Sequence, residues 1–186
     1  MRVIAGKYKS RPLRALAGDK TRPTSDRLRE TLFNVLTAGD PSALENSTWL
    51  DLFAGTGAVG IEALSRGASH VTFVDSGKAA TKVIRENLKS LGIASGFEIV
   101  ESDAVKALRS LEQKGLKAEF VFVDPPYASA EIYASVLTFL GSSQVVGGVV
   151  VVEHDKRFDP GEDFGGLKRY RTLLQGDSGL SLYRRG

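Results

Sequence analysis

Cysteine is absent from the 186 residues, which excludes disulfides, thiolate metal sites and cysteine nucleophiles and makes a reducing compartment the natural setting. Histidine is scarce: with only His70 and His154, a histidine-rich metal site is not expected and the chain is read as metal-free. No apolar stretch approaches the length of a bilayer span, and Met1 leads into Arg2 and a mixed polar segment rather than the apolar core of a secretory leader. A soluble cytoplasmic protein with no membrane partner is expected. Internal repeats and low-complexity linkers are also missing. What is present, 42% hydrophobic residues over this length, is enough for one well-buried domain with a small appendage.

The net charge is only +3, but it is unevenly placed. Residues 1–40 carry nine basic side chains (Arg2, Lys7, Lys9, Arg11, Arg14, Lys20, Arg22, Arg27 and Arg29) against the four acidic ones Asp19, Asp26, Glu30 and Asp40. Positive charge gathered at one end of a chain points to a polyanionic partner, although a solvated face that contacts nothing has the same composition.

Residues 1–20 read as a basic arm, with extended stretches at Arg2 to Ala5 and Leu13 to Leu16 forming a small hairpin that must lean on the main domain, residues 21–186. Ser25 to Thr37 reads as a helix capped by Thr24 or Ser25, with Leu28, Leu32, Val35 and Leu36 near helical spacing. From Trp49 the chain alternates strand, glycine loop and helix. Strands are expected at Trp49 to Ala54, His70 to Asp75, Phe97 to Glu101, Glu119 to Asp124 and Val149 to Glu153. Helices are expected at Val59 to Arg66, Lys78 to Leu91, Ala104 to Lys114 and Ile132 to Leu140. Strands apolar on both faces, alternating with helices, predict a doubly wound, Rossmann-like α/β domain with a mostly parallel sheet. Lys168 to Leu174 and Leu180 to Arg185 flank a polar turn and predict an antiparallel C-terminal hairpin at the sheet edge.

Two stretches carry chemistry. Asp51-Leu52-Phe53-Ala54-Gly55-Thr56-Gly57-Ala58-Val59-Gly60 places a G-x-G-x-x-G between strand and helix, with Asp75 twenty positions past Gly55. Glycines let the backbone approach a ligand, and Asp75 can accept from ribose hydroxyls whether the cofactor is a dinucleotide or S-adenosylmethionine. Asp51 separates the two, because a carboxylate beside the loop is unfavourable next to a pyrophosphate but suits the methionine α-ammonium. Asp103 sits at the corresponding end of the next strand, where it can accept from an adenine amine, cap the helix from Ala104, or both. The second stretch, Asp124-Pro125-Pro126-Tyr127, closes the apolar run Phe120 to Val123. It combines an acceptor, two residues of fixed φ and an aromatic face, parts suited to a flat molecule with an amino group. A strand-terminating turn would use the same Asp-Pro pair.

These blocks resemble the class I S-adenosylmethionine-dependent methyltransferases, and Asp124 to Tyr127 resembles the (D/N)PP(Y/F) motif of enzymes that methylate exocyclic amines of nucleobases. Arg2-Val3-Ile4-Ala5-Gly6, Arg22 to Asn34, Asp51 to Gly60 and Glu62 to Ala68 are, more narrowly, similar to the RsmD family. The likeness runs over nearly the whole chain in order; Ser76-Gly77-Lys78 and the C-terminal hairpin depart from it. The resemblance implies transfer of a methyl group from S-adenosylmethionine, leaving S-adenosylhomocysteine, to N2 of one guanine in 16S ribosomal RNA, with Asp124, Pro125, Pro126 and Tyr127 catalytic. Asp124 and a carbonyl, that of Pro125, would accept the amine's two N–H groups while Tyr127 stacks on the base.

It further implies a cofactor site built from Asp51, Phe53, Ala54, Gly55, Thr56, Gly57, Asp75, Ser76, Ser102, Asp103, Ala104 and Asp124. RNA contacts are expected from Lys7, Tyr8, Lys9, Arg11, Arg14, Arg22, Thr24, Arg27 and Arg29. The substrate is expected within the small ribosomal subunit, presented with ribosomal proteins to a monomeric enzyme. Three alternatives remain open at this stage: an adenine-N6 amino-methyltransferase using the same motif, a nicotinamide-dependent dehydrogenase, and a non-catalytic RNA-binding factor of the same fold.

Overall fold

The computed structural model describes residues 1–16, 24–126 and 129–186. The chain runs α1 (Asp26–Leu36), β1 (Thr48–Leu52), α2 (Ala58–Ser65), β2 (His70–Asp75), α3 (Lys78–Ser90), β3 (Phe97–Glu101), α4 (Ala104–Gln113), β4 (Ala118–Val123), α5 (Ala130–Ser142), β5 (Val146–Asp155), β6 (Asp163–Phe164), β7 (Leu167–Gln175) and β8 (Ser178–Arg185). One sheet has the order β3-β2-β1-β4-β5-β8-β7-β6. The strands β1 to β5 pair in parallel, and β8, β7 and β6 continue the sheet antiparallel. The doubly wound sheet and the C-terminal hairpin are therefore as expected; the two-residue β6 is the one strand the sequence pattern did not suggest.

Two apolar layers enclose the sheet. Leu28, Leu32 and Phe33 of α1, Ile61 of α2, and Ile84 and Leu88 of α3 pack on one face with Trp49, Phe73 and Phe122. Phe33 stacks on Trp49 and Trp49 on Phe120, with centroids 5.3 Å and 4.8 Å apart. Leu108 and Leu111 of α4 and Val136, Leu137 and Leu140 of α5 cover the other face over Leu50, Val121 and Val150. The near-unbroken apolar character of β4 and β5 follows from burial on both faces.

Chain order reverses at β1, since β2 and β3 lie on one side of it and β4 and β5 on the other. A crevice opens at the carboxyl ends of strands that flank such a switch point. Asp51 precedes the last residue of β1, and Asp124 follows β4 directly, so the two chemical stretches meet at that crevice.

The arm is less regular than expected. Its two extended stretches share only an isolated bridge between Arg2 and Pro12. Its backbone groups are instead held by the main domain: Ile4 and Ala5 donate to the Glu62 carboxylate at 2.8 Å and 3.0 Å, and Arg14 donates to the Asn87 side chain at 2.7 Å. Gly6 lies so close to the Ser65 carbonyl that a Cβ there would clash with it. The arm thus climbs the α2–α3 face, from the far end of the sheet to the crevice.

Candidate active site

The glycine loop is held open by its own carboxylates. Asp75 accepts the Gly55 and Gly77 N–H groups, each at 2.8 Å, one on each oxygen. Each oxygen retains a lone pair for a ligand hydroxyl. Gly55 has φ +55° and its missing side chain would project into open space, while a Cβ on Gly57, at φ +78°, would press on Ile84 and Phe73. The first glycine leaves room for a ligand, and the second permits close packing of loop on helix. Phe53 also adopts a positive φ, 61°, a conformation that non-glycine residues seldom hold outside functional loops.

A cavity of about 960 Å³ spans this loop and the end of β4. Asp51, Phe53, Ala54, Gly55, Thr56, Asp75 and Ser76 line it at one end, and Asp124, Pro125 and Pro126 at the other. The anticipated cofactor and catalytic residues are brought together on one wall-to-wall path. Gly57 caps α2 just behind it. Ser102, Asp103 and Ala104 stand at the same rim but outside the cavity lining, and Asp103 is engaged as the N-cap of α4, accepting from Lys106 at 3.1 Å. Tyr127 and Arg22 lie outside the described residues.

Electrostatics set this crevice apart. Asp51 is 2% exposed, and burial, reinforced by the charge of Asp75 and opposed by a hydrogen bond from Gly60, pushes its pKa up to about 7. Asp124 is held well above the ordinary carboxylate range, first by burial and then by the charges of Glu153 and Asp51. Thr24 joins two of these acids, donating to Glu153 at 2.6 Å with its oxygen 3.4 Å from Asp124. Opposite them, Tyr133 donates its hydroxyl to the Glu153 carbonyl at 3.0 Å, and its ring lies 4.8 Å from that of Phe158. His154 faces the Asp155 carbonyl with Nδ1 and the Ser181 hydroxyl with Nε2, both at 2.9 Å. Only a donor can face the carbonyl, so the proton sits on Nδ1 and Ser181 donates to Nε2.

Glu153, Tyr133, His154 and Phe158 were not singled out as site residues from sequence. An acid inside a valine strand, Val149 to Val152 then Glu153, was the available signal. Among the described residues no group of three or more His, Cys, Asp or Glu could hold a metal ion, and no helix is long and apolar enough to cross a membrane.

The basic residues divide. Arg29 is fully buried, donating to the Arg2 carbonyl at 2.6 Å and to Asp26 at 2.8 Å, so its expected place among the RNA contacts is corrected: it anchors the arm to α1. Thr24 lies inside the cavity, and Arg27 is exposed on α1. Arg14 pairs with Glu86 at 2.9 Å and Arg11 donates to the Ser90 carbonyl at 2.9 Å. Lys7 lies 5.4 Å from the centre of the Tyr8 ring, which itself packs partly against the core. At about 1.5 Å per residue, the 13-residue α3 puts Ser90, and Arg11 with it, roughly 18 Å below the rim.

Comparison with known proteins agrees with this geometry. A profile of the family described as Conserved hypothetical protein 95 matches residues 1–184. YlbH of Bacillus subtilis (strain 168), whose name places it provisionally among rRNA methyltransferases, is 36% identical over 187 aligned residues, covering 100% of this chain and 99% of its own. Ribosomal RNA small subunit methyltransferase D of Escherichia coli (strain K12) is 39% identical over 127 residues, 68% of this chain and 60% of its own. Among solved structures, yhhF from Escherichia coli matches with a TM-score of 0.82 at 27% identity over 100% of this chain and 97% of its own. Sheet order, glycine loop and rim carboxylates define a Rossmann-like methyltransferase. The chain belongs to the Conserved hypothetical protein 95 family, the RsmD family of methyltransferases.

Proposed function

We propose that the protein transfers the methyl group of S-adenosylmethionine to the exocyclic N2 of a guanine in 16S ribosomal RNA. The observation that carries this reading is the single cavity with Asp75 and the Gly55 loop at one end and Asp124-Pro125-Pro126 at the other. At about 960 Å³ it lies at the upper end of the volumes usual for ligand clefts. The donor set suits S-adenosylmethionine: Asp75 retains acceptor capacity for ribose hydroxyls, Gly55 leaves backbone exposed to a ligand, and Asp51 offers an anion to an ammonium group. A nicotinamide dinucleotide suits it less, since Asp51 and Asp124 would both stand in the cavity with its pyrophosphate.

When bound, S-adenosylmethionine supplies an electrophilic methyl group. The chain's own task is then to position a weakly nucleophilic aromatic amine and exclude water from it. Asp124 accepts one amino N–H and the Pro125 carbonyl the other, which turns the nitrogen lone pair out of the ring. Its raised proton affinity suits Asp124 to take the proton released once the nitrogen is methylated. Tyr127 provides the stacking face by its place in the motif. The likeness to small-subunit methyltransferases supports rRNA as the substrate, and the roughly 18 Å between rim and lower arm suits a footprint larger than one nucleotide.

Nucleoside analysis of small-subunit rRNA tests the reading. Cells lacking the protein should lose one N2-methylguanosine, and small subunits from those cells should regain it on incubation with purified protein and S-adenosylmethionine. An unchanged N2-methylguanosine level would count against this function.

A further inference from the structure

The valine run of β5 ends with a carboxylate turned into the cavity: Glu153, 8% exposed, hydrogen-bonded to Thr24 and fixed through its own carbonyl by Tyr133. Thr24 precedes α1, Asp124 follows β4, and Glu153 lies 129 residues beyond Thr24, so three distant segments converge to set two acids side by side. Burying a second negative charge beside the first is costly, and accepting two N–H groups of one amine does not require it. The arrangement answers to a substrate with an additional donor.

We propose that Glu153 reads the identity of the target base by accepting the ring N1–H of guanine together with the amino N–H beside it. This inference rests on the methyl-transfer reading above. On guanine's Watson–Crick edge N1–H and the adjacent amino N–H point the same way, matching the two oxygens of one carboxylate. The remaining amino N–H diverges by about 120°, so its acceptor stands roughly 5 Å from the first when each bond is about 2.9 Å long. Glu153 and Asp124 meet that requirement, because the 2.6 Å and 3.4 Å contacts of Thr24 laid end to end reach beyond such a separation. Thr24 occupies one lone pair of Glu153, and a carboxylate has about four. Adenine and cytosine carry a bare ring-nitrogen lone pair beside their amino groups, and a carboxylate repels it. Asp124 then selects the nitrogen to be methylated, and Glu153 selects the base that carries it.

The test uses the full-length protein with S-adenosylmethionine and small subunits reconstituted on rRNA bearing either guanine or 2-aminopurine at the methylated position. 2-Aminopurine keeps the amino group but has a lone pair at N1. The wild type should favour guanine by about 10²-fold in kcat/KM. Glu153→Gln keeps the shape and can donate to a bare N1, so it should slow guanine methylation and bring the ratio to within about tenfold. The affinity ratio for the two particles, measured with S-adenosylhomocysteine bound, should shift in the same direction even if turnover is lost. Should Glu153→Gln fail to fold, Glu153→Asp, which withdraws the carboxylate by one methylene, should also reduce the guanine preference. A wild-type ratio near one, or a ratio unchanged in the variant, overturns the proposal while leaving the methyltransferase reading intact. Failure of the wild type to methylate the guanine particle would instead refute that reading.

Discussion

The Gly60 amide donates to the Asp51 carboxylate at 2.9 Å, so the acid that precedes the glycine loop is tied to the last glycine of that loop. This bond holds the carboxylate under the loop and away from bulk water, and desolvation is what raises its pKa to about 7. The linkage has a definite sign. An aspartate that titrates near 4 when unfolded and near 7 when folded binds more protons in the native state between those values, so stability falls as pH rises through that window. The slope for one such group approaches ~1.4 kcal/mol per pH unit and vanishes above the folded pKa. Denaturant unfolding between pH 4.5 and 8, compared between wild type and Asp51→Asn, should show the variant gaining relative stability up to about pH 7. Parallel curves would refute the assignment.

Cofactor binding should report the same group. If the Asp51 carboxylate faces the α-ammonium of S-adenosylmethionine, binding lowers its pKa and expels a proton at pH 6. Calorimetric titration in two buffers of different ionisation enthalpy should register that release in the wild type and a smaller one in Asp51→Asn. Equal proton release in both proteins would remove Asp51 from the ammonium site.

At the other end of the cavity, Asp124 is expected to act on turnover rather than on cofactor affinity. Asp124→Ala removes the acceptor and should lower kcat by about 10²–10³, on the scale of losing one organised transition-state contact. Asp124→Asn, which keeps a carbonyl oxygen, should retain more activity than alanine. The Kd for S-adenosylhomocysteine should change by less than about tenfold in either variant. Full turnover by Asp124→Ala would sink the role.

The sheet was legible because its signals are local. Periods of apolar residues, punctuated by Gly55, Gly67 and Gly115, placed His70–Asp75 and Phe97–Glu101 as they stand. The loop-and-rim residues were legible for the same reason, being consecutive. Glu153 and Tyr133 were not: their meaning comes from Thr24 and Asp124, which are far from them in the chain. Arg29 was misread because its helix neighbours Arg27 and Glu30 are exposed, and only the tertiary arrangement shows that it turns inward to the Arg2 carbonyl. The arm looked like a hairpin from its composition, yet Glu62 and Asn87 take up hydrogen bonds that a partner strand would otherwise have made.

The division among the basic residues can be measured by salt dependence. Replacing Lys7, Lys9 and Arg11 together with alanine should weaken RNA binding and reduce the slope of log K against log salt by up to about 0.7–0.9 per lost phosphate contact. Arg29→Met should leave that slope unchanged, because a fully buried guanidinium meets no phosphate. Its Nε and NH1 have no hydrogen-bond partner among the described residues, so an apolar side chain of similar length should cost little in stability. A fall in slope for Arg29→Met equal to that of a surface cation would return Arg29 to the RNA interface.

Glu62 is the residue on which the arm's attachment should turn. It is buried, accepts from Ile4 and Ala5 and pairs with Arg66 at 2.8 Å. Glu62→Ala leaves two backbone donors and a guanidinium without that acceptor, a loss on the order of 2–4 kcal/mol by comparison with other broken buried charge contacts. Gly6 is pressed against the Ser65 carbonyl, so the arm cannot slide along α2 to recover the bonds. Trypsin should then cleave after Lys7 and Lys9 at least tenfold faster than in the wild type, and hydrogen exchange at Ile4 and Ala5 should rise before exchange in the central strands does. Unaltered cleavage and exchange would place the arm's attachment elsewhere, on the Arg14–Asn87 contact nearer the crevice.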